Sequence, residues 1–399
     1  MHTNIRRWVV DMKLMHLSDL HLGKRLNEIS LYDDQKYILQ QLVKLAQQNK
    51  PDAILIAGDI YDKSVPAAEA VSLFDAFLNQ LAEMNFPVYI ISGNHDSAER
   101  LAFGAQLMQK SRVHIAYAYT GQVQKFVIQD EYGTVHIFLL PFLKPALVKH
   151  YLPEEEADKI NSYHDALQAA VTQLSLDKKE RNVLVAHQFV TGAISAGSET
   201  VNVGGLDNIG AEVFADFDYV ALGHIHNPQN VGGNEHIRYC GTPLKYSFAE
   251  WQQQKSVTFV ELGAKGSLQL ELVPLQPLHE LRHLRGTYKE LIKKENYQDY
   301  PIDEDGCLHD FYYITLTDED DVPNALQNLR SVYKNILQLD YDNQRTRTDN
   351  ALEVESEPEE KTPLELIDSF FEQQNNQPMS EQQKAYVMKL LDKLGGEAV

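Results

Sequence analysis

The chain has 399 residues, of which 43% are hydrophobic and 23% are charged, a composition typical of globular proteins. This length exceeds what one ordinary core organises, so we expect two or three folded units. The formal net charge of −21 argues against a protein that attracts nucleic acid over its whole surface, and any phosphate chemistry must therefore use a local positive site.

The amino-terminal segment and the cysteines indicate a cytoplasmic protein without a membrane span. No apolar run is long enough to cross a bilayer, and Asp11 and Lys13 interrupt the apolar stretch near the amino terminus, which argues against a secretory signal. The two cysteines, Cys240 and Cys307, make no disulfide framework, so a reducing compartment is expected.

Apolar runs alternate with amphipathic segments from about Lys13 to Leu272, and this alternation predicts an α/β layered fold. The predicted strands are short, rich in β-branched residues and end at turn residues; they read KLMHL, DAILIAG, PVYIIS, NVLVAH and DYVALG. Helices are predicted near Asp33–Gln48 and Pro66–Met84. In such folds the chemistry gathers in the loops that follow the carboxyl ends of the strands.

The composition changes after residue 275. Residues 276–342 predict a small β-α-β-α-β unit, with strands around Leu281, in FYYITLT and in ILQLDY, and with helices near YKELIKKE and PNALQNLRSVYKN. Residues 343–361 are rich in glutamate and predict an acidic, solvated linker.

Residues 362–399 predict a helical hairpin. Thr362–Glu365 and Ser380–Gln383 read as capping boxes, and the second helix carries an apolar stripe formed by Ala385, Met388, Leu391 and Leu394. A hairpin beyond a flexible linker has no core of its own, so it must dock on this chain or on a partner.

Side chains able to bind metal follow five of the predicted strands. They are Asp19 and His21, then Asp59, then Asn94 with His95 and Asp96, then His187, and finally His224 and His226. A lone histidine near a strand end is more often packed than a ligand, and an aspartate after glycine is usually a turn. The joint occurrence in an α/β context predicts a shared site, and the mixture of carboxylate, imidazole and amide suits Mn²⁺ or a similar ion.

In this order, the motifs Asp-x-His, Gly-Asp, Gly-Asn-His-Asp, His and Gly-His-x-His resemble those of the calcineurin-like metallophosphoesterase family. The longer segments MHLSDLHLGK, ILIAGDIYDKSVP, ISGNHDSAERL, LGHIHNPQ and RYCGTPLKYSFAE resemble more closely the D subunits of SbcCD-type nucleases, and this likeness extends into the second domain and the tail. The resemblance implies a four-layer α/β fold, a β-sandwich flanked by helices, with a small α/β capping domain and a C-terminal helical hairpin.

The domain boundaries that follow are residues 1–11 as an extension, 12–275 as the nuclease domain, 276–342 as a capping and DNA-recognition domain, 343–361 as the linker, and 362–399 as the hairpin. Family members begin just before the first strand, and Met12 fits such a start better than Met1.

The resemblance also implies two metal ions and their ligands. One ion would be held by Asp19, His21, Asp59 and His226. The other would be held by Asp59, Asn94, His187 and His224, so that Asp59 bridges the pair. Two such ions would activate a water and clamp the attacking and leaving oxygens of a phosphodiester.

His95 lies outside this ligand set, and the resemblance gives it the role of stabilising the transition state or protonating the leaving group. Asp96 would orient His95 or cap the loop, and Asp62 would support the ligands or serve only a turn. Candidate phosphate contacts are the basic residues near these loops, namely Lys24, Arg25, Lys63 and Arg100.

The first hypothesis for function is a DNA nuclease subunit acting in repair, recombination and replication. The resemblance implies Mn²⁺-dependent 3′–5′ exonuclease activity on duplex ends, endonuclease activity on single strands and hairpins, a homodimer formed through helices of the catalytic domain, and a location at the nucleoid. It also implies an SbcC-type coiled-coil ATPase as partner, gripped by the tail hairpin. No Gly-x-x-x-x-Gly-Lys loop occurs in the sequence, so the ATPase must be another chain.

Two other hypotheses remain open at this point. The first is a phosphatase or small-molecule phosphodiesterase on the same scaffold, although phosphoprotein phosphatases usually continue their Gly-Asp motif with Asp-Arg-Gly, where this chain has Asp62-Lys63-Ser64. The second is a catalytically silent scaffold that recruits the ATPase to DNA, which the complete set of ligand positions disfavours.

Overall fold

A computed structural model describes residues 11–195, 199, 208–302, 308–343, 346, 364, 367–368, 371 and 378–395. These residues divide between two compact units, Met1–His279 and Glu280–Val399. Among the described residues, no helix combines the length and the apolar character needed to cross a membrane.

The larger unit contains two six-stranded sheets, and the first of them holds three of the predicted site strands. From edge to edge its strands are β14 (Leu268–Pro274), β13 (Ser256–Leu262), β1 (Met12–Leu17), β4 (Ala53–Ala57), β5 (Val88–Ile91) and β6 (Val113–Ala116). The last four run parallel, so their carboxyl ends meet at one edge of the sheet, while β13 and β14 are antiparallel additions.

The second sheet holds the other two predicted site strands. Its order is β11 (Gln229–Val231), β12 (Asn234–Tyr239), β10 (Tyr219–Gly223), β9 (Arg181–His187), β8 (Gly133–Leu140) and β7 (Gln124–Asp130). The four central strands are parallel, and the two edge strands are antiparallel. A short hairpin, β2 (Arg25–Leu26) with β3 (Ile29–Ser30), follows the β1 loop.

The two sheets pack face to face over one hydrophobic core. Leu14 and Leu55 of the first sheet share a buried cluster with Val183 and Ala221 of the second. Arg181 adds a polar link between the sheets, because its guanidinium donates to the carbonyls of Leu262 and Gly263 at the end of β13.

Helices cover the outer faces of this sandwich. The helices of the unit are α1 (Tyr32–Asn49), α2 (Ala68–Glu83), α3 (Ala98–Ala102), α4 (Ala105–Met108), α5 (Pro145–Tyr151), α6 (Glu154–Ala157) and α7 (Tyr163–Thr172). The crossovers that carry α1 and α2 between neighbouring parallel strands place both on one face of the first sheet. Residues of α5 and α7 pack in the core on the outer face of the second sheet. The predicted four-layer fold is therefore confirmed.

The smaller unit begins with a three-stranded parallel sheet. Its strands are β15 (Leu281–Gly286), β16 (Leu308–Leu316) and β17 (Tyr333–Tyr341), with α8 (Tyr288–Leu291) and α9 (Ala325–Leu329) between them. The predicted element order is confirmed, but the second helix ends at Leu329 and does not continue to Asn335 as predicted. Tyr333 opens β17 and is 1% exposed, because its ring belongs to the core of this sheet.

Apart from Asn343 and Thr346, the acidic linker lies outside the described residues, as does most of the first tail helix. The second tail helix, α10 (Glu381–Gly395), is present and begins at the predicted capping box. Gln383 N–H lies 3.4 Å from Ser380 Oγ, and Gln383 Oε1 accepts from Ser380 N–H at 2.8 Å. Of the predicted stripe, Ala385 and Met388 are exposed.

Candidate metal centre

All seven predicted ligands lie together at the carboxyl ends of β1, β4, β5, β9 and β10. His21 Nε2 is 3.2 Å from His226 Nε2 and 3.6 Å from Asp59 Oδ2. The same oxygen, Asp59 Oδ2, is also 3.4 Å from His187 Nε2. Asp59 therefore stands between two groups of ligand atoms.

The second group is completed by an amide oxygen. Asn94 Oδ1 lies 3.0 Å from His187 Nε2 and 2.9 Å from His224 Nδ1. Asp19 is held beside them because its two carboxylate oxygens accept the backbone N–H of His224 at 3.0 and 3.2 Å.

Backbone hydrogen bonds orient these ligand atoms. His187 Nδ1 lies 2.8 Å from the carbonyl of Ala57, so Nδ1 carries the proton and the lone pair of Nε2 faces Asp59 and Asn94. The remaining carboxylate oxygen of Asp59, Oδ1, accepts the backbone N–H of His95 at 2.9 Å.

The residues present fit divalent metal ions. Among the described residues, metal-capable groups include Asp19 with His21 and His226, and Asp19 with Asp59 and His187. Adjacent ligands of an ion with bonds near 2.1 Å lie about 3 Å apart, which is the spacing of these donor atoms. Nitrogen lone pairs and carboxylates converge on the same points, as a cation requires.

Four of the seven ligands have a left-handed backbone. The φ angles are 52° at Asp19, 42° at His21, 49° at Asp59 and 102° at His224. Such angles are costly for residues that carry a Cβ, by about 1–3 kcal/mol each, and persist only where the surroundings enforce them. Their concentration here indicates that the folded chain holds strain in order to aim these side chains.

Two glycines permit the close approach of the strand ends. A Cβ on Gly93 would lie 2.2 Å from Asp59 Oδ1, and a Cβ on Gly223 would lie 2.0 Å from the carbonyl oxygen of Ala57. The glycine in each motif thus gives room for a ligand or for the carbonyl that orients one.

The charges of this buried group are strongly perturbed. Burial raises the pKa of Asp19 to about 6, although His187 and His226 oppose the shift. Burial alone would lower the pKa of His187, but Asp59 beside it outweighs this effect and raises that pKa to about 9. Burial and the neighbouring His187 lower the pKa of His224 to about 3. Such shifts are typical of functional sites, where charged groups are held together against their solvation. The raised pKa leaves a proton on His187 Nε2 beside Asp59, and a metal ion bound there would take the place of that proton.

His95 borders the ligands and is half-buried. Its Nδ1 lies 2.8 Å from the carbonyl of Asp62, which fixes the ring and leaves Nε2 for other contacts. Its ring meets that of His21 edge-on, with the centroids 4.9 Å apart.

Asp96 takes the loop-capping role rather than orienting His95. Its carboxylate accepts the backbone N–H groups of Ile60, Tyr61 and Gly93 at 3.1, 3.0 and 2.9 Å. It ties the loop after β4 to the loop after β5, which makes it a positioning residue, and a backbone carbonyl orients the histidine instead.

A buried ion pair next to His226, between Glu250 and Lys255, was not predicted from the sequence. Glu250 Oε1 is 3.6 Å from His226 Nδ1, and Glu250 Oε2 is 2.6 Å from Lys255 Nζ. Lys255 Nζ also donates to the backbone carbonyl of His226 at 2.9 Å. Burial raises the pKa of Glu250, but His226 and Lys255 together hold it below its usual range. The segment RYCGTPLKYSFAE ends in Glu250, but nothing in its pattern indicates this role.

The four basic candidates differ in their surroundings. Lys24 Nζ pairs with Asp62 Oδ1 at 2.8 Å, so it lies beside the residue whose carbonyl holds His95. Arg25 donates to the carbonyl of Glu28 within its own turn. Lys63 and Arg100 are exposed.

Comparison with known proteins places this centre in a family. A family model described as "Calcineurin-like phosphoesterase" matches residues 12–228. The D subunit of nuclease SbcCD from Staphylococcus epidermidis is 32% identical over 391 residues, which cover 95% of this chain and 98% of that protein. The chain belongs to the calcineurin-like phosphoesterases, in the family of SbcCD nuclease D subunits.

Membership of this family makes the chain a metal-dependent phosphoester hydrolase and implies divalent metal ions at the centre. A second family model, "Type 5 capsule protein repressor C-terminal domain", matches residues 277–375. Among solved structures, a dimetal phosphatase from Danio rerio aligns with 67% of this chain and 98% of its own, at 13% identity and a TM-score of 0.41. The protein TT1561 of Thermus thermophilus aligns with 66% of this chain and 99% of its own, at 14% identity and a TM-score of 0.37.

Proposed function

We propose that this chain is the nuclease subunit of an SbcCD-type complex and hydrolyses DNA phosphodiesters at a dinuclear metal centre. The observation that carries the proposal is the position of Asp59 Oδ2 between His21 Nε2 and His187 Nε2, at 3.6 and 3.4 Å. One carboxylate shared by two nitrogen-containing ligand groups is what two neighbouring cations require.

The proposed ligand sets are those that the family resemblance implies, and the clustering of the side chains supports them. Asp19, His21, Asp59 and His226 would hold one ion. Asp59, Asn94, His187 and His224 would hold the other. Mn²⁺ is the proposed ion, because oxygen and imidazole ligands without thiolate suit it. When bound, the ions supply Lewis acidity toward the phosphate and lower the pKa of an attacking water.

The charge of the loaded centre explains how an acidic chain attracts DNA. Two divalent cations held by two carboxylates, Asp19 and Asp59, leave about two positive charges at the bottom of the site. A phosphate is drawn to this point although the chain carries a formal net charge of −21. We propose Lys24 as a phosphate contact, because its ion pair with Asp62 holds it beside the residue whose carbonyl fixes the ring of His95. For Arg25, Lys63 and Arg100 phosphate contact stays a prediction.

His95 is the proposed acid. With Nδ1 tied to the carbonyl of Asp62, a protonated ring would present Nε2–H to the phosphate or to the leaving oxygen. Asp96 would act on this chemistry only through the loops that it joins.

The relative's name and exposed apolar side chains support a proposed partner and a proposed assembly. We propose an SbcC-type coiled-coil ATPase as partner and α10 as part of its docking site, because Tyr386 is 65% exposed and Met388 is 51% exposed. A homodimer through catalytic-domain helices is supported by Phe103 and Leu107, which are 86% and 70% exposed. The recognition of DNA by residues 276–342 stays a prediction.

The experiment that tests this function is cleavage by the purified chain with and without an SbcC-type ATPase, in Mn²⁺ and in Mg²⁺. The substrates are a labelled hairpin DNA, a labelled duplex end and a chromogenic phosphodiester. We expect endonuclease cleavage of the hairpin in Mn²⁺, 3′–5′ removal of nucleotides from the duplex end only with the ATPase and ATP, and no cleavage by Asp59→Asn. Turnover of the chromogenic ester with both DNAs intact would favour a small-molecule phosphodiesterase instead.

A further inference from the structure

The loop that carries Asp19 and His21 rests on a buried glutamine. Gln35 lies in the first turn of α1 and is 0% exposed. Its Nε2 donates to the carbonyl of His21 at 2.8 Å, and its Oε1 accepts the N–H of Gly23 at 2.9 Å. One planar amide thus satisfies a backbone acceptor and a backbone donor two residues apart.

A buried tyrosine extends this contact to the other side of the loop. Gln35 Nε2 also reaches the hydroxyl of Tyr246 at 3.2 Å, and that hydroxyl donates to the carbonyl of Leu20 at 2.5 Å. The Tyr246 ring lies edge-on to two candidate ligands, with its centroid 5.8 Å from that of His21 and 6.5 Å from that of His226.

We propose that Gln35 and Tyr246 are positioning residues that clamp the β1 loop in its metal-binding conformation. The proposal rests on the proposed function, since it concerns the same dinuclear centre. Neither side chain contacts the reacting atoms. Gln35 acts through the carbonyl of His21 and the N–H of Gly23, and Tyr246 acts through the carbonyl of Leu20.

The β1 loop has a strained backbone that the hydrogen bonds of Gln35 and Tyr246 would stabilise. Asp19 and His21 both have positive φ, and these angles would relax if nothing opposed them. The loop's own bonds from Asp19 N–H to the Gly58 carbonyl and from His21 N–H to the Asp59 carbonyl, both 3.0 Å, hold one side. Gln35 and Tyr246 donate to the carbonyls of His21 and Leu20, so the loop is fixed before any ion binds.

The test uses two variants that remove polar atoms with little change in volume, Gln35→Met and Tyr246→Phe. Matched controls on the same helix are Gln40→Met, at an exposed position, and Tyr37→Phe, which is 39% exposed. Mn²⁺ binding is measured by calorimetry on the full chain, and the melting temperature is measured with EDTA and with saturating Mn²⁺. Loss of a residue that supports the metal ligands from outside typically weakens metal binding about 10- to 100-fold.

We expect both clamp variants to fold, to bind Mn²⁺ about 10- to 100-fold more weakly, and to gain less in melting temperature from Mn²⁺ than the wild type gains. The two controls should match the wild type. Clamp variants with unchanged Mn²⁺ affinity would overturn the clamp while leaving the proposed function intact. If Gln35→Met fails to fold, Tyr246→Phe alone decides, since it removes a single oxygen atom. Absence of Mn²⁺ binding by the wild type would instead overturn the proposed function.

Discussion

Replacing Gly223 by alanine is the sharpest test of how the strand ends are packed. The new Cβ would lie 2.0 Å from the Ala57 carbonyl oxygen and 2.7 Å from His187 Nδ1. Ordinary contact between carbon and oxygen needs about 3.2 Å or more, so the carbonyl or the strand must move by roughly 1 Å. The hydrogen bond between these two groups, now 2.8 Å, would then break or lengthen.

The cost can be estimated from two effects. Overpacking of a tight interior costs about 1–3 kcal/mol, and loss of a buried hydrogen bond adds about 1 kcal/mol. We therefore expect Gly223→Ala to lose about 2–4 kcal/mol of unfolding free energy in urea titrations. Because His187 would lose its orientation, Mn²⁺ affinity should also fall about 10- to 100-fold.

Gly266→Ala is the matched control for this prediction. Gly266 has φ of +85°, so alanine is strained there, but no atom lies within 4 Å of the added Cβ. It should lose about 1 kcal/mol of stability and keep its Mn²⁺ affinity. A Gly223→Ala chain with the stability and metal affinity of the wild type would refute the packing argument.

Three further predictions test separate parts of the structure. Asp130→Asn should cost about 1.5–3 kcal/mol in urea, because the buried guanidinium of Arg181 loses a charged hydrogen-bond partner while it keeps its backbone acceptors. Burial raises the pKa of Asp130, but hydrogen bonding to Arg181 outweighs burial and keeps that pKa below its usual range. The ion pair therefore stabilises the folded chain fully above about pH 4, the pKa of an unfolded aspartate. As the pH falls through the lower pKa of the folded state, the stabilities of the wild type and Asp130→Asn should converge. Glu250→Gln should cost about 3–5 kcal/mol of unfolding free energy, because Lys255 loses its buried carboxylate partner. The double variant Glu250→Gln with Lys255→Met should recover part of that loss. A double variant no more stable than Glu250→Gln alone would mean that the two side chains are not coupled. His95→Asn should abolish DNA cleavage while calorimetry finds two bound Mn²⁺, and retained cleavage would remove His95 from the chemistry.

The clustering of the candidate ligands could be predicted from sequence, because each of them follows a recognisable strand. The apolar run of a buried strand such as DAILIA shows where the strand ends, and parallel strands bring their carboxyl ends to one edge of the sheet. Asp59, Asn94 and His187 were therefore placeable without knowing the path of the chain between them.

The supporting residues could not be predicted in this way. Gln35 is 211 positions from Tyr246, and Glu250 is 24 positions from His226, so no periodicity connects either pair. Gln35 lies in a helix whose pattern predicts only buried and exposed faces. Its contacts with the β1 loop depend on how α1 packs, which is decided by the tertiary fold.

The end of α9 illustrates a different limit. The stretch from Pro323 to Asn335 has good helix formers, and a helix was predicted throughout. The structure ends α9 at Leu329 and starts β17 at Tyr333, whose ring fills the core beside Tyr312 with 4.9 Å between centroids. Burial of an aromatic side chain on a sheet outweighed local helix propensity.

Electron paramagnetic resonance of the Mn²⁺-loaded chain tests the sharing of Asp59 most directly. Two Mn²⁺ ions bridged by one carboxylate are magnetically coupled, so the wild type should bind two ions per chain and give the spectrum of a coupled pair. Asp59→Asn should lose that coupling. One bound ion per chain, or two ions with the spectrum of isolated Mn²⁺, would contradict a centre built around Asp59.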